Sequence, residues 1–215
     1  MSLRGFDVLA PHYHWMERIL AGGILQRSRL EFLKDLEPRR VLVAGEGHGK
    51  FLGAFLRVFP ETRVTYVDAS AGMLEVAKRH LGRQGISEAR VTWVQAVLPE
   101  WKPPAGQFDL VVTNFFLDCF AADGLGAVVA GLASGCEPQA AWIVTDFHVP
   151  PRGAARCRAK AVLWLMYRFF CLVTNLPARR LEDPSPWITV QGFVLATEKT
   201  WDWGLVRSQL WRRGL

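Results

Sequence analysis

The chain reads as an α/β protein built on a parallel sheet, and three observations predict this. Short continuous apolar runs recur along residues 41–146, each the signature of a strand buried on both faces. Segments of helical spacing separate most of them, which implies βαβ units. After Pro151 the alternation stops, and two β-rich segments follow one another closely, as an antiparallel pair does.

Val41–Ala44 is the first strand, bounded by Gly45, and Phe51–Phe59 is a helix stopped by Pro60. Val64–Val67 is a second, β-branched strand. Ser70 caps a helix over Met73–Leu81, and Gly82 follows it. Val91–Val94 is the third strand, and the loop Pro99–Gly106 leads to the fourth at Asp109–Thr113. A Gly/Ala-rich helix covers Gly124–Ser134, and Ala140–Asp146 is the fifth strand. A long helix, Ala154–Asn175, precedes the proline-rich stretch Pro177–Pro186. Phe193–Lys199 and Gly204–Trp211 form the terminal pair, and Ala10–Leu36 is a helical cap with a soft spot at Gly22-Gly23.

The length of 215 residues suits one domain that buries a full core without disulfides or metals. We divide it into a helical cap (1–38), a core (39–150), and a long helix with the C-terminal strand pair (151–215). The composition, 50% hydrophobic and 21% charged, excludes a disordered or collagen-like chain. Four cysteines without a C-x-x-C or a zinc spacing read as buried, reduced thiols, and no metal site is expected. Met1–Trp15 has no apolar signal region, and the apolar stretch Ala161–Leu176 is too short and interrupted to span a membrane. The expected location is the cytoplasm, with attachment to a membrane surface as the variant.

The net charge of +6 is uneven. Residues 1–150 carry 15 basic and 16 acidic side chains, whereas 151–215 carry 11 and 4, with five of the nine tryptophans. Arg152, Arg156, Arg158 and Lys160 open the long helix, against the sign its dipole favours. Three readings stay open for this segment: a wall of a pocket for a small apolar or anionic molecule, attachment to an anionic membrane surface, and RNA binding. The last lacks a recognisable RNA-binding module, so nucleic acid is not among the expected partners.

The first strand runs into Gly45-Glu-Gly-His-Gly49, the first βα turn of a doubly wound sheet, where ligands sit beyond the strands' carboxyl ends. Asp68 closes the second strand and can accept both hydroxyls of a ribose. Lys50 stands where a dinucleotide fingerprint needs glycine, which disfavours a nicotinamide-dependent oxidoreductase. S-adenosylmethionine, with no phosphate, suits Gly45, Gly47, Gly49 and Asp68 better.

The runs VLVAGEGHGKFL, VTYVDASAGML, VTWVQAVLPEW and FDLVVTNFFLDCF, in this order, resemble a class I S-adenosylmethionine-dependent methyltransferase over residues 40–146. The resemblance implies a Rossmann-like, doubly wound, seven-stranded, mostly parallel sheet of order 3-2-1-4-5-7-6, its last strand antiparallel. It places Gly45, Glu46 and Gly47 at the cofactor's methionine end, and Asp68 at the ribose. It sets Ala69, Met73, Ala96 and Val97 around the adenine, and Thr113 and Asn114 near the methyl group. Val43 stands where the family often has an acid, a task left to Glu46. Val97 cannot accept the adenine amino group, which falls to Gln95 or a backbone carbonyl.

The expected activity is methyl transfer to a small apolar or aromatic acceptor, releasing S-adenosylhomocysteine and driven mainly by positioning. Alternatives are a lipid or quinone acceptor at a membrane, and a non-catalytic S-adenosylmethionine-binding module. His148 is the best-placed base, because its ordinary pKa lies near neutrality. Asp118 faces the cleft or caps a helix, and Tyr13, beside His12, His14 and Trp15, lines the acceptor pocket or packs the cap. His48 is expected at the surface or at the cofactor's carboxylate, and Phe115, Phe116 and Phe120 in an apolar wall or the core.

Overall fold

Alternate residues of the central strands bury on opposite faces, and this builds two hydrophobic layers around one sheet. Val41 and Val43 of β1 (Arg40–Ala44) enter one layer, and Leu42 and Ala44 the other. A computed structural model describes residues 23–174 and 181–214 of the chain. Helix α1 (Ile24–Leu30) precedes β1, and α2 (Lys50–Val58) links it to β2 (Arg63–Asp68). Helix α3 (Ala71–Arg83), β3 (Val91–Gln95) and β4 (Phe108–Asn114) follow. Then come α4 (Ala122–Ser134), β5 (Cys136–Phe147), α5 (Gly153–Thr174), α6 (Ser185–Val190), β6 (Phe193–Trp201) and β7 (Val206–Arg213).

The seven strands lie in the order β3-β2-β1-β4-β5-β7-β6, as the family resemblance implies. The first five pair in parallel, and β7 runs antiparallel to both β5 and β6. One layer packs Phe51, Leu52 and Phe55 of α2 with Leu74, Ala77 and Leu81 of α3. The other packs Leu125, Val128 and Leu132 of α4 with Trp142 and Phe193, whose rings meet edge to face at 5.5 Å. A smaller cluster seats Leu163, Met166 and Tyr167 of α5 on Leu205.

Three differences from the expected elements have physical causes. The six residues of α6 fall partly in the stretch expected as proline-rich loop. That helix is a tertiary product: Trp187 packs over Gly126 of α4, where a Cβ would lie 2.8 Å from the indole. Strand β5 begins four residues earlier than expected, with Phe108 paired to Cys136 across a register shift. The last two strands are joined by a tight turn with Asp202, Trp203 and Gly204 at positive φ, so β7 starts only at Val206. Among the described cysteines, Cys136 is buried, Cys119 half-buried and Cys157 exposed, all as free thiols. The exposure of Cys157 corrects the reading of all four as buried. Most of the helical cap, including His12, Tyr13, His14 and Trp15, lies outside the described residues.

Candidate active site

The glycine turn between β1 and α2 depends on left-handed backbone. Gly45 and Gly49 have φ of 66° and 76°. A Cβ on Gly45 would fall 1.9 Å from the Phe116 ring, and one on Gly49 2.8 Å from Cβ of Ala77 in α3. The turn is braced from below by Glu46. Its carboxylate accepts hydrogen bonds from the Phe51 N–H (3.1 Å) and the Tyr66 hydroxyl (2.8 Å), and lies 3.3 Å from His48 Nδ1. Burial opposes its ionisation, but the bond and charge of His48, the charge of Arg29 and the Phe51 N–H hold the carboxyl below its ordinary value. Burial, with the Glu46 charge, pushes the Tyr66 phenol well up, so it remains a donor. His48 is fully buried, not at the surface, because the turn folds it inward beside Glu46.

At the end of β2, Asp68 Oδ1 accepts the Ser70 N–H at 2.9 Å. Ser70 Oγ in turn accepts the Met73 N–H at 3.1 Å and caps α3. Strand β4 ends in Asn114 and then turns sharply, with Phe115 at φ 53°. A bulky residue in that region is held there by its surroundings, at about 1–2 kcal/mol. The Phe115 N–H donates to Thr145 O, and the Phe116 N–H to Asp146 Oδ1 at 3.1 Å. This tether presents Asp118 to the cleft, while the Tyr167 hydroxyl of α5 donates to the Asp118 backbone carbonyl at 3.2 Å.

Burial raises the Asp118 carboxyl to about 6, and burial together with the Asp118 charge raises Asp146 well above the usual range.

These segments enclose one cleft at the carboxyl ends of the strands, about 1180 Å³ including its mouth open to solvent. Glu46, Asp68 and Asp118 line it, and no basic side chain does among the described residues. An acidic, lysine-free lining does not suit a pyrophosphate, but it suits a cofactor carrying a sulfonium and an ammonium. Phe115, Phe116, Phe120, Phe147, Met166 and Tyr167 make its apolar wall.

Residues 41–159 match the family described as methyltransferase domain, more than half of the chain. The chain belongs to that family. It is a family of class I, S-adenosylmethionine-dependent methyltransferases. A demethylmenaquinone methyltransferase of Thermotoga maritima is 31% identical over 83 residues, 37% of this chain and 36% of that protein. The chain thus matches little more than a third of the curated relatives' length.

Among solved structures, the mitomycin 7-O-methyltransferase MmcR superposes with a TM-score of 0.71 at 19% identity. That match covers 100% of this chain and 61% of the other. A Burkholderia thailandensis 1,6-didemethyltoxoflavin-N1-methyltransferase, solved with 1,6-didemethyltoxoflavin and S-adenosylhomocysteine, gives 0.69 at 17% identity, covering 99% and 88%. Both likenesses concern the fold.

Gly45, Glu46, Gly47, Asp68, Ala69, Met73, Ala96, Val97, Asn114 and Asp118 all line the wall of this cleft. Gly49, Gln95, Thr113 and His148 do not. Gly49 serves the contact between the turn and α3, and Gln95 is solvent-exposed. Thr113 points into the α4 layer, where its Oγ1 accepts the Trp142 Nε1–H at 3.0 Å. His148 is tied to the turn before β7: its N–H donates to Leu205 O, and Nδ1 meets Gly204 O at 2.9 Å. The basic start of α5 is outside the lining too. Arg158 instead pairs with Asp202 at 3.0 Å, and the apolar half of the helix supplies Met166 and Tyr167.

Two contributors escaped the sequence reading. Arg29 of α1 is buried, 5.0 Å over the Phe115 ring. Asp146, at the end of β5, tethers Phe116. Both depend on contacts between distant segments, and no local motif marks either residue.

Proposed function

We propose that the chain transfers a methyl group from S-adenosylmethionine to a small apolar or aromatic molecule, as one methyltransferase domain comprising cap, core and C-terminal pair. The observation that carries this is the composition of the cleft: an acidic, glycine-floored half built by β1, β2 and β3, continuous with an aromatic half built by β4, β5 and α5. Asp68 would hold the ribose hydroxyls, Met73, Ala96 and Val97 would flank the adenine, and Gly45 and Gly47 would admit the methionine end. Asn114, with both amide atoms buried and unpartnered, fits a group that bonds only when ligand is present. The cofactor supplies an activated methyl group. The protein's part is to align the acceptor and exclude water.

Calorimetric titration with S-adenosylhomocysteine tests the cofactor assignment, and one binding site per chain is the expected result. A folded protein that takes up no cofactor refutes it.

A lipid or quinone acceptor at a membrane surface is the second reading, supported by one observation. Helix α5 exposes Trp164 (63%) and Leu165 (65%) beside Lys160 and Arg168, an apolar and basic face. No described helix is long and apolar enough to cross a membrane. Sedimentation with phosphatidylglycerol vesicles separates the readings: retention of the wild type and its loss in Trp164→Ala/Leu165→Ala support surface attachment, and no retention removes it.

A further inference from the structure

We propose that Asn114 and Asp118 form the acceptor subsite, that the acceptor is an aromatic molecule bearing a hydroxyl group, and that Asp118 takes the hydroxyl proton as the oxygen is methylated. This rests on the methyltransferase reading and names the substrate class of the same cleft.

The first observation is Asn114. It is 2% exposed, lines the cleft, and neither Oδ1 nor Nδ2 has a hydrogen-bond partner. A buried amide without partners is costly unless a ligand completes it. The second is Asp118, four residues further on, 6% exposed and lining the same cleft. Its only side-chain donor among the described residues is the Cys119 thiol, at 3.6 Å. The subsite therefore offers an amide donor and a carboxylate acceptor within aromatic walls.

A hydroxyl satisfies both. It donates its proton to Asp118 and accepts the Asn114 amide on a lone pair. A ring N–H donates but has no in-plane lone pair for the amide, and an ether has no proton for the carboxylate. Phe120, Phe147 and Tyr167 supply the apolar faces that an aromatic ring stacks on.

In the transfer, a lone pair of the hydroxyl oxygen forms the new O–C bond while the S–C bond breaks and sulfur keeps its pair. The hydroxyl proton passes to the Asp118 carboxylate and later to solvent.

The groups facing Asp118 set its ionisation. Asp146 at the end of β5 is itself pushed well up by burial and the Asp118 charge, and the Cys119 thiol donates to Asp118 Oδ1. Tyr167 of α5 bonds its backbone carbonyl, and Arg207 of β7 acts on Asp146. With its carboxyl near 6, Asp118 is an ionised base above that pH.

The test uses the full chain saturated with S-adenosylhomocysteine and titrated with 4-nitrophenol or its methyl ether, 4-nitroanisole. The phenol is expected to bind about tenfold or more tightly than the ether, in its neutral form, with affinity rising as pH passes through about 6. Asp118→Asn should remove the pH dependence, because the amide does not titrate, and reduce that preference. Asn114→Ala should reduce the preference independently.

Equal binding of phenol and ether by the wild type, no binding of the phenol, or an unchanged preference in Asp118→Asn overturns the proposal. Failure of S-adenosylhomocysteine to bind the wild type instead overturns the cofactor reading beneath it.

Discussion

Two alanine substitutions in the glycine turn should separate stability from cofactor affinity. Gly47 and Gly49 both have strongly positive φ, 79° and 76°. Alanine in that conformation costs roughly 1–2 kcal/mol at either site. The surroundings differ. A Cβ at Gly49 would lie 2.8 and 2.9 Å from Cβ and Cα of Ala77, and the α3 backbone cannot yield as a flexible side chain can. Overpacking of this kind adds roughly 1–3 kcal/mol. A Cβ at Gly47 meets only Met73 Sδ at 3.7 Å, an ordinary contact.

Gly49→Ala should therefore lose about 2–5 kcal/mol, and Gly47→Ala about 1–2 kcal/mol. Urea unfolding measures both. Gly47 lines the cleft and Gly49 does not, so calorimetry with S-adenosylhomocysteine should rank them in the opposite order, with Gly47→Ala weakening binding more. Equal stabilities, or the greater affinity loss in Gly49→Ala, would refute the division of tasks within the turn.

Asp68→Ala should weaken S-adenosylhomocysteine binding by at least about 2 kcal/mol, roughly thirtyfold, because a buried ribose loses its acceptor; unchanged calorimetric affinity would show the cofactor register to be wrong. The Asp118 carboxyl is raised from 3.8 to about 6 on folding, so its ionisation penalises the folded state above that pH and not below 3.8. Asp118→Asn should thus be more stable than wild type by roughly 1–3 kcal/mol at pH 7.5, with the gain vanishing near pH 4 in urea melts. Trp142→Phe removes the indole donor to Thr113 Oγ1 and should lose about 1–3 kcal/mol. In the double mutant with Thr113→Val the losses should sum to less than additive, and Thr113→Val alone should leave cofactor affinity unchanged.

The sheet was legible because its strands are apolar runs of nearly the right length, and because the glycine turn and Asp68 are short-range signals. Strand order followed from the ordered motifs, and β7–β6 from the break in pattern after Pro151. What the sequence could not show were side-chain directions and long-range pairings. Thr113 and Asn114 are neighbours, yet the pleat turns one into the α4 layer and the other into the cleft. His148 looked like a base by position, but its Nδ1 meets a carbonyl 56 residues away. The basic start of α5 looked like a pocket wall because charge is visible in sequence, whereas the face a helix turns inward depends on its partner. Helix α6 needed Trp187 against Gly126, a contact with no local signal.

Two buried carboxyls on this cleft are driven in opposite directions, and the contrast supports the proposed role of Asp118. Glu46 receives the Phe51 N–H and the Tyr66 hydroxyl and has His48 beside it, and its carboxyl is lowered. Its surroundings are complete, as a structural brace requires. Asp118 has a thiol as side-chain donor, and burial raises its carboxyl. Within five residues of it lie an amide with no partner, Asn114, and a phenylalanine held at φ 53°. Their concentration at the end of β4, on the wall of the acidic cleft, is what the proposed acceptor subsite requires.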